Sequence, residues 1–321
     1  MDYRKLNSQT VNDSYPLPNI ADILDQLGNS KYFSTFDLAS GYHQVLLKPE
    51  DRWKTAFATP GGLWQFVRMP MGLASAPATF QRMMEILLMG LQYVEMLVYL
   101  DDIIVYAKSL QDNERKMELL FQRLVSANLK LQPEKVQFLR KEVAFLGHVI
   151  SENGVTPDPE KIKAVVNYPT PTNVKSVRQT LGFFVYYRRF IPQYAVKAKP
   201  LNDLLKKDHP FVWGEKEEQS FQTLKDCLIK HPILIYPDFE KIFTLTTDAS
   251  DFAIGAVLSQ EKDGFDHPIA YLSRTLNSAE RNYSTTEKEC LAALCAMRHF
   301  RPYLISKKFI LQSNHKPMPV N

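Results

Sequence analysis

Asp101 and Asp102 stand side by side between two apolar β-type runs, Met96-Leu97-Val98-Tyr99-Leu100 and Ile103-Ile104-Val105-Tyr106. Adjacent carboxylates at the tip of an otherwise buried hairpin repel each other and lose hydration, which destabilises the fold unless a counter-ion is present. A divalent cation removes that objection, because hard oxygen ligands suit Mg²⁺. The competing reading is a plain polar turn, but tight hairpin turns favour Asn-Gly or Asp-Gly over Asp-Asp. Asp37 closes a second strand-like segment, Tyr32-Phe33-Ser34-Thr35-Phe36. Three carboxylates on neighbouring strand ends can hold two metal ions that clamp the attacking and leaving oxygens of a phosphoryl transfer.

Further motifs surround these acids. Phe36-Asp37-Leu38-Ala39-Ser40-Gly41-Tyr42-His43-Gln44, Met69-Pro70-Met71-Gly72-Leu73, Ala76-Pro77-Ala78-Thr79-Phe80-Gln81 and Tyr99-Leu100-Asp101-Asp102 follow one another in order. Together they closely resemble the reverse transcriptases of Ty3/gypsy-type retrotransposons, and the resemblance runs over essentially the whole chain. It implies an RNA-directed DNA polymerase acting by two-metal nucleotidyl transfer, with two Mg²⁺ ions (Mn²⁺ as the alternative) held by Asp37, Asp101 and Asp102. The resemblance makes Tyr42 the flat side chain that blocks a 2′-hydroxyl. It makes Met71 and Gly72, with Pro77, the nucleotide- and template-contacting turn, where a glycine lets backbone approach a base pair closely. Lys135 aligns with a proposed proton donor to pyrophosphate; alone it would read as a surface charge. Leu146-Gly147-His148 resembles a hairpin that grips the primer end, and Arg4 belongs to a fingers segment that positions template. The family also carries upstream fingers strands with a basic triphosphate loop, and this sequence is expected to begin inside that region, which would leave an unpaired sheet edge. The implied partners are RNA and DNA template-primer, dNTPs and other parts of a Pol polyprotein.

The composition agrees with a folded globular chain. At 321 residues, 45% hydrophobic and 12% aromatic, it has the length for two or three domains with real cores. A net charge of +4 permits a nucleic-acid partner without demonstrating one. The cysteines Cys227, Cys290 and Cys295 lack metal-ligand spacing, and an odd count without a secretory leader suits a reducing compartment. Cys290 and Cys295 read as small buried hydrophobes. No apolar run reaches membrane-spanning length, since Gln92 and Glu95 interrupt the nearest one. The expectation is an intracellular protein, cytoplasmic or nuclear, neither secreted nor in a membrane.

The elements that must position the acids follow from periodicity. The expected fold is α+β: a right-hand polymerase palm with partial fingers (1–155), a helical thumb (156–237) and a truncated ribonuclease-H-like α/β domain (238–321). Helices are predicted over 78–89 and 114–128, the latter with Met117, Leu120, Phe121 and Leu124 on one face. Asn128 suits a left-handed cap, with Pro133 preventing resumption. Residues 143–150 give a strand pair around Gly147. Prolines then punctuate three amphipathic helices near 158–167, 173–190 and 215–230, the middle one burying Val174, Val177, Leu181 and Phe184. Lys175, Arg178, Arg188 and Arg189 lie largely elsewhere, interleaved with Tyr186 and Tyr187. A solvated basic face is the default for such charges; the resemblance favours a thumb that tracks duplex phosphates, with Arg188 and Arg189 as contacts.

From 238 onward, strands at 243–248, 253–259 and 268–273, a helix over 286–300 and a strand at 309–313 make the start of a ribonuclease-H-like fold. By resemblance Asp248 and Glu289 are its first two carboxylates, Glu287 being the alternative to Glu289 by composition. The third position reads Ser313-Asn314-His315. An amide oxygen can coordinate metal but brings no negative charge, and the sequence stops before a fourth carboxylate, so little or no ribonuclease H activity is expected. The alternative to a polymerase is a catalytically dead nucleic-acid-binding remnant; a stand-alone nuclease is disfavoured by Asn314.

Overall fold

The structure, a computed structural model, describes residues 1–207, 210–230 and 233–313. It divides into two compact units, one from Met1 to Leu146 with Ile150–Glu152, the other comprising Gly147–Val149 and the residues from Asn153 on.

In the first unit α1 (Arg4–Asn7) and α2 (Ile20–Asp25) precede β1 (Tyr32–Asp37). A short hairpin, β2 (Phe57–Thr59) and β3 (Gly62–Trp64), leads to α3 (Ala76–Leu87), β4 (Met96–Tyr99), β5 (Asp102–Ala107), α4 (Leu110–Ser126), β6 (Gln137–Arg140) and β7 (Glu142–Phe145). The main sheet has the order β4-β5-β1-β6, and β1 runs antiparallel to β5 and β6. β4, β5 and the middle of β1 are buried on both faces while β6 is largely exposed, and the β1–β5 register puts Phe36 opposite Ile103 and Asp37 opposite Asp102. Phe36, Val98, Ile103 and Val105 pack with Phe80 and Met84 of α3 and Met117, Leu120 and Leu124 of α4. Burying one such side chain contributes about 1.5–3 kcal/mol, so the strand ends that carry the acids rest on a rigid floor. A buried polar tie crosses this core: Ser34 Oγ donates to Asn113 Oδ1 (2.8 Å) and accepts from Leu139 N (3.0 Å), and Asn113 Nδ2 donates to Tyr32 O (3.1 Å).

Two helix starts differ from the periodicity reading. α4 begins at Leu110, four residues early, because the Ser109 side chain caps it by accepting from Asp112 N. α3 begins at Ala76, with Pro77 in its first turn. Asn128 does take a left-handed φ of 54°.

β8 (His148–Ser151) is divided between the units, and β9 (Gly154–Pro157) opens the rest of the second. Then come α5 (Pro159–Val166), α6 (Val174–Tyr186), α7 (Tyr194–Lys197), α8 (Lys199–Asp203) and α9 (Glu215–Ile229). Next are β10 (Phe243–Ala249), β11 (Ala253–Lys262), β12 (Phe265–Thr275), α10 (Thr285–His299) and β13 (Phe309–Ser313). The helix expected over 173–190 stops at Tyr186 and gives way to a 3-10 turn, Arg188–Phe190. Pro192 holds Ile191 extended, and the turn buries both Tyr187 and Phe190. The sheet order is β12-β11-β10-β13, antiparallel except for the β10–β13 pair, with α10 packed through Ala296 and Phe300 onto Phe243, Leu245 and Leu258. Cys290 is exposed and Cys227 and Cys295 half-buried, so the reading of Cys290 and Cys295 as core residues is corrected: the buried stripe of α10 runs through Ala292 and Ala296 instead. No described helix is long and apolar enough to cross a membrane.

Candidate active site

The two apolar runs form the expected hairpin, β4 and β5, and Leu100 makes its turn possible with φ of +54°. The turn presents Asp101, while Asp102 opens β5 directly opposite Asp37. Backbone bonds fix the neighbours: Leu38 N donates to Asp101 O (3.2 Å) and Gln132 N to Asp37 O (2.9 Å). The second of these brings up Lys135, whose Nζ lies 3.0 Å from Asp37 Oδ2. Asp37, the adjacent Asp101 and Asp102, and Lys135, taken from three places in the sequence, therefore act on one another. Burial, then the charges of Asp101 and Asp37, push the Asp102 carboxyl up to about 6, with Lys135 opposing. The hydrogen bond to Asp37 and the surrounding acids raise the Lys135 ammonium above its ordinary value.

Tyr42 stands beside this group. Its half-buried ring meets Phe80 edge-on, with centroids 5.3 Å apart, and its hydroxyl is raised by burial and by Asp101 and Tyr99. Gly41 is required here: a Cβ would come within 2.9 Å of the Phe80 ring and 3.2 Å of Asp101 Cβ. At the next turn Met71 is 62% exposed and Gly72 has φ of +94°. That turn is held from α1 by Asn7, which donates through Nδ2 to Gly72 O (2.8 Å) and accepts from Ala74 N (2.9 Å). Arg4, on the same short helix, is exposed and pairs with Asp2 at 2.6 Å.

Residues 1–150 match the family described as reverse transcriptase (RNA-dependent DNA polymerase), and 213–311 match the RNase H-like domain found in reverse transcriptase. The chain is 49% identical over 319 residues to the retrovirus-related Pol polyprotein from transposon 297 of Drosophila melanogaster, covering 99% of this chain and 30% of that protein. It is 40% identical to the corresponding polyprotein from transposon gypsy of the same organism, over 99% of this chain and 32% of that one. The chain belongs to the Ty3/gypsy-type retrotransposon reverse transcriptases. It spans less than two thirds of the polyproteins it matches. Its fold is likewise that of a foamy viral protease-reverse transcriptase in complex with double-stranded DNA, with a TM-score of 0.87 and 25% identity over 99% of this chain and 56% of that one. A second structure of that protein, with an RNA/DNA hybrid, gives 0.83 at 25% identity over 99% and 43%.

The remaining expected residues lie in the second unit. Gly147 takes φ of +67°, and its carbonyl accepts from the Tyr187 hydroxyl at 2.6 Å and from Asp158 N at 3.1 Å. His148 is buried, with its ring against those of Tyr186, Tyr187 and Phe190. Arg188 is exposed, but Arg189 is half-buried and turns inward to Ile269 O of β12 at 3.4 Å. The pairing of Arg188 with Arg189 on one solvated face is thus corrected: Arg189 is directed at the β12 backbone and Arg188 at solvent. Asp248 accepts from Gln193 Nε2 at 3.2 Å, and Glu289, buried, accepts from Ser313 Oγ at 3.1 Å. Glu287 instead caps α10 by accepting from Ser284 N and Oγ, both at 2.8 Å, so of the two candidates Glu289 is the one turned to the sheet. Asn314 lies outside the described residues.

Several supporting side chains escaped sequence reading. Gln44 bridges Ala39 O (2.8 Å), Lys130 O (2.9 Å) and Lys130 N (2.7 Å), tying the loop after Asp37 to the segment that delivers Lys135. Gln81, fully buried, accepts from Leu100 N at 2.7 Å. Both fall inside the quoted motifs. For Gln81 a polar residue in an apolar helix was the available signal, because a buried amide must find partners.

Proposed function

We propose that this chain is the polymerase-bearing segment of a retrotransposon Pol protein, which copies an RNA template into DNA by extending a primer 3′-hydroxyl with dNTPs. The observation that carries this reading is the β1–β5 register, which sets Asp37 against Asp102 beside the Asp101 turn. Among the described residues no three His, Cys, Asp or Glu side chains converge closely enough to cage an ion unaided. The donor set still fits Mg²⁺. Its oxygens are hard, burial and the charges of Asp101 and Asp37 raise the Asp102 carboxyl, and Mg²⁺ is commonly held by one or two carboxylates plus substrate phosphates and water. Asp37 and Asp101 would hold both ions and Asp102 would serve one of them. Bound there, Mg²⁺ (or Mn²⁺) lowers the pKa of the attacking hydroxyl and offsets charge on the leaving phosphate.

The chain's own residues do the rest. Tyr42, fixed edge-on by Phe80, places a rigid ring beside Asp101 where it excludes a 2′-hydroxyl. Met71 and Gly72 present a side chain and bare backbone to the nascent base pair. Lys135 holds a proton firmly among the acids and releases Asp37 to serve the pyrophosphate, since contacts in a substrate-free site commonly rearrange when substrate binds. Gly147, His148 and Arg188 serve the primer and duplex, His148 as a packing support for the Gly147 turn, and Arg4 serves the template. Residues 1–155 work as fingers and palm, 156–237 as thumb and 238–321 as an inactive ribonuclease-H-like domain. The protein works inside the cell, in cytoplasm or nucleus, beside other Pol products.

Primer extension on poly(rA)/oligo(dT) with Mg²⁺ tests the reading. Extension by the chain that disappears in Asp101→Asn supports it. Template-primer binding without extension makes the chain a binding remnant.

A further inference from the structure

The turn that presents Asp101 is strained. A left-handed conformation is costly for a side chain like that of Leu100, so it persists only where neighbours hold it. Gln81 is the holder, its side-chain oxygen accepting from Leu100 N at 2.7 Å. An amide has an oxygen end and an NH₂ end of nearly the same shape, and its partners decide which way it lies. At the other end Gln81 Nε2 donates to Glu85 Oε1 at 2.8 Å and to Val98 O at 3.4 Å. A carboxylate and a carbonyl only accept. They therefore commit the NH₂ end and leave the oxygen for Leu100.

Glu85 is itself placed from the N-terminal segment. Its Oε2 accepts from the Tyr15 hydroxyl. The Arg82 guanidinium lies 4.7 Å over the Tyr15 ring and donates twice to Asp13 at 2.7 Å, and Asp13 accepts from Tyr15 N at 3.1 Å. A continuous chain of hydrogen bonds thus runs from Tyr15 through Glu85 and Gln81 to the backbone beside Asp101.

We propose that Glu85 fixes the orientation of the Gln81 amide, which makes Gln81 a positioning residue for the Leu100-Asp101 turn, with Tyr15 steadying Glu85. For its effect on catalysis the proposal rests on the polymerase reading; its structural half does not. Glu85→Gln is the sharpest probe, because the new amide can donate as well as accept and lets Gln81 turn over. In the full chain, exchange of the Leu100 amide should quicken on the order of tenfold, the loss of about one net hydrogen bond. Primer-extension kcat should fall by a similar factor, with dNTP KM and primer-template affinity within about twofold of the parent. Tyr15→Phe should do the same more weakly. In a Gln81→Met background, Leu100→Asn should recover most of the kcat, since Asn tolerates positive φ. Unchanged Leu100 exchange in Glu85→Gln overturns the proposal, as does faster exchange with an unaltered kcat. If the parent chain extends no primer while the exchange difference stands, the polymerase reading fails and the amide relay survives.

Discussion

In the first unit three aspartates crowd two adjoining strand ends, and burial with the charges of its neighbours lifts Asp102 to about 6. In the second unit Asp248 and Glu289 each accept a hydrogen bond from a neutral side chain, Gln193 and Ser313. One acidic centre is left with repulsion that a cation would relieve; the other has its carboxylates satisfied by the protein itself. Sharing a sheet end does not make the two centres alike. Only the first gathers charge that the fold leaves largely unneutralised, the property that favours a cation. Lys135 answers one acid of three by its contact with Asp37.

Substitutions that remove charge should separate the two centres most widely. Asp37→Asn should reduce primer extension by about 10³-fold or more, since metal-assisted charge stabilisation is worth several kcal/mol. Asp248→Asn and Glu289→Gln should leave it within about twofold. Nucleic-acid binding sharpens the contrast at the 3-10 turn. Arg188→Ala should lower the salt slope of duplex affinity by about one phosphate contact, whereas Arg189→Ala should leave the slope alone and lower thermal stability. An identical slope for the parent and Arg188→Ala would remove that arginine from the duplex path.

Smaller effects concern stability. Gly41→Ala should cost about 1–3 kcal/mol, because Phe80 and Asp101 leave no room for a methyl group. The pH dependence follows from Asp102. Its folded-state value of about 6 exceeds the ordinary 3.8, so between those values the folded chain binds more protons than the unfolded one. Stability is then lost as pH rises through that window and stays lower above it. Asp102→Asn should therefore stabilise the metal-free protein at pH 7.5 by about 1–2 kcal/mol, discounted for solvent screening, and by nothing below about pH 4. Denaturant titrations at the two pH values check the sign. Smallest of all, Gln193→Ala should cost about 0.5–1.5 kcal/mol, one hydrogen bond in the satisfied centre.

Much of this was legible beforehand because the signals were local. An apolar run on each side of Asp101-Asp102 forces a hairpin, and a strand-like run ending in Asp37 can lie beside it in few ways. The order of strands and helix after 238 followed from alternation alone, though β11 and β12 run several residues past the apolar stretch, since strand pairing continues into solvent where periodicity fades. Long-range ties were not legible. Nothing around Lys135 announces Asp37, and nothing around Asn7 announces Gly72; each depends on backbone brought from far away. Arg188 and Arg189 look alike in sequence and part company only because β12 offers Arg189 a backbone acceptor, Ile269 O.

The most direct test is to count Mn²⁺ ions by electron paramagnetic resonance on the full chain with a dideoxy-terminated primer-template and the complementary dNTP. Two bound ions are expected in the parent, fewer in Asp37→Asn and Asp101→Asn, and no change in Asp248→Asn. Undiminished Mn²⁺ binding in both first-unit variants would contradict that expectation.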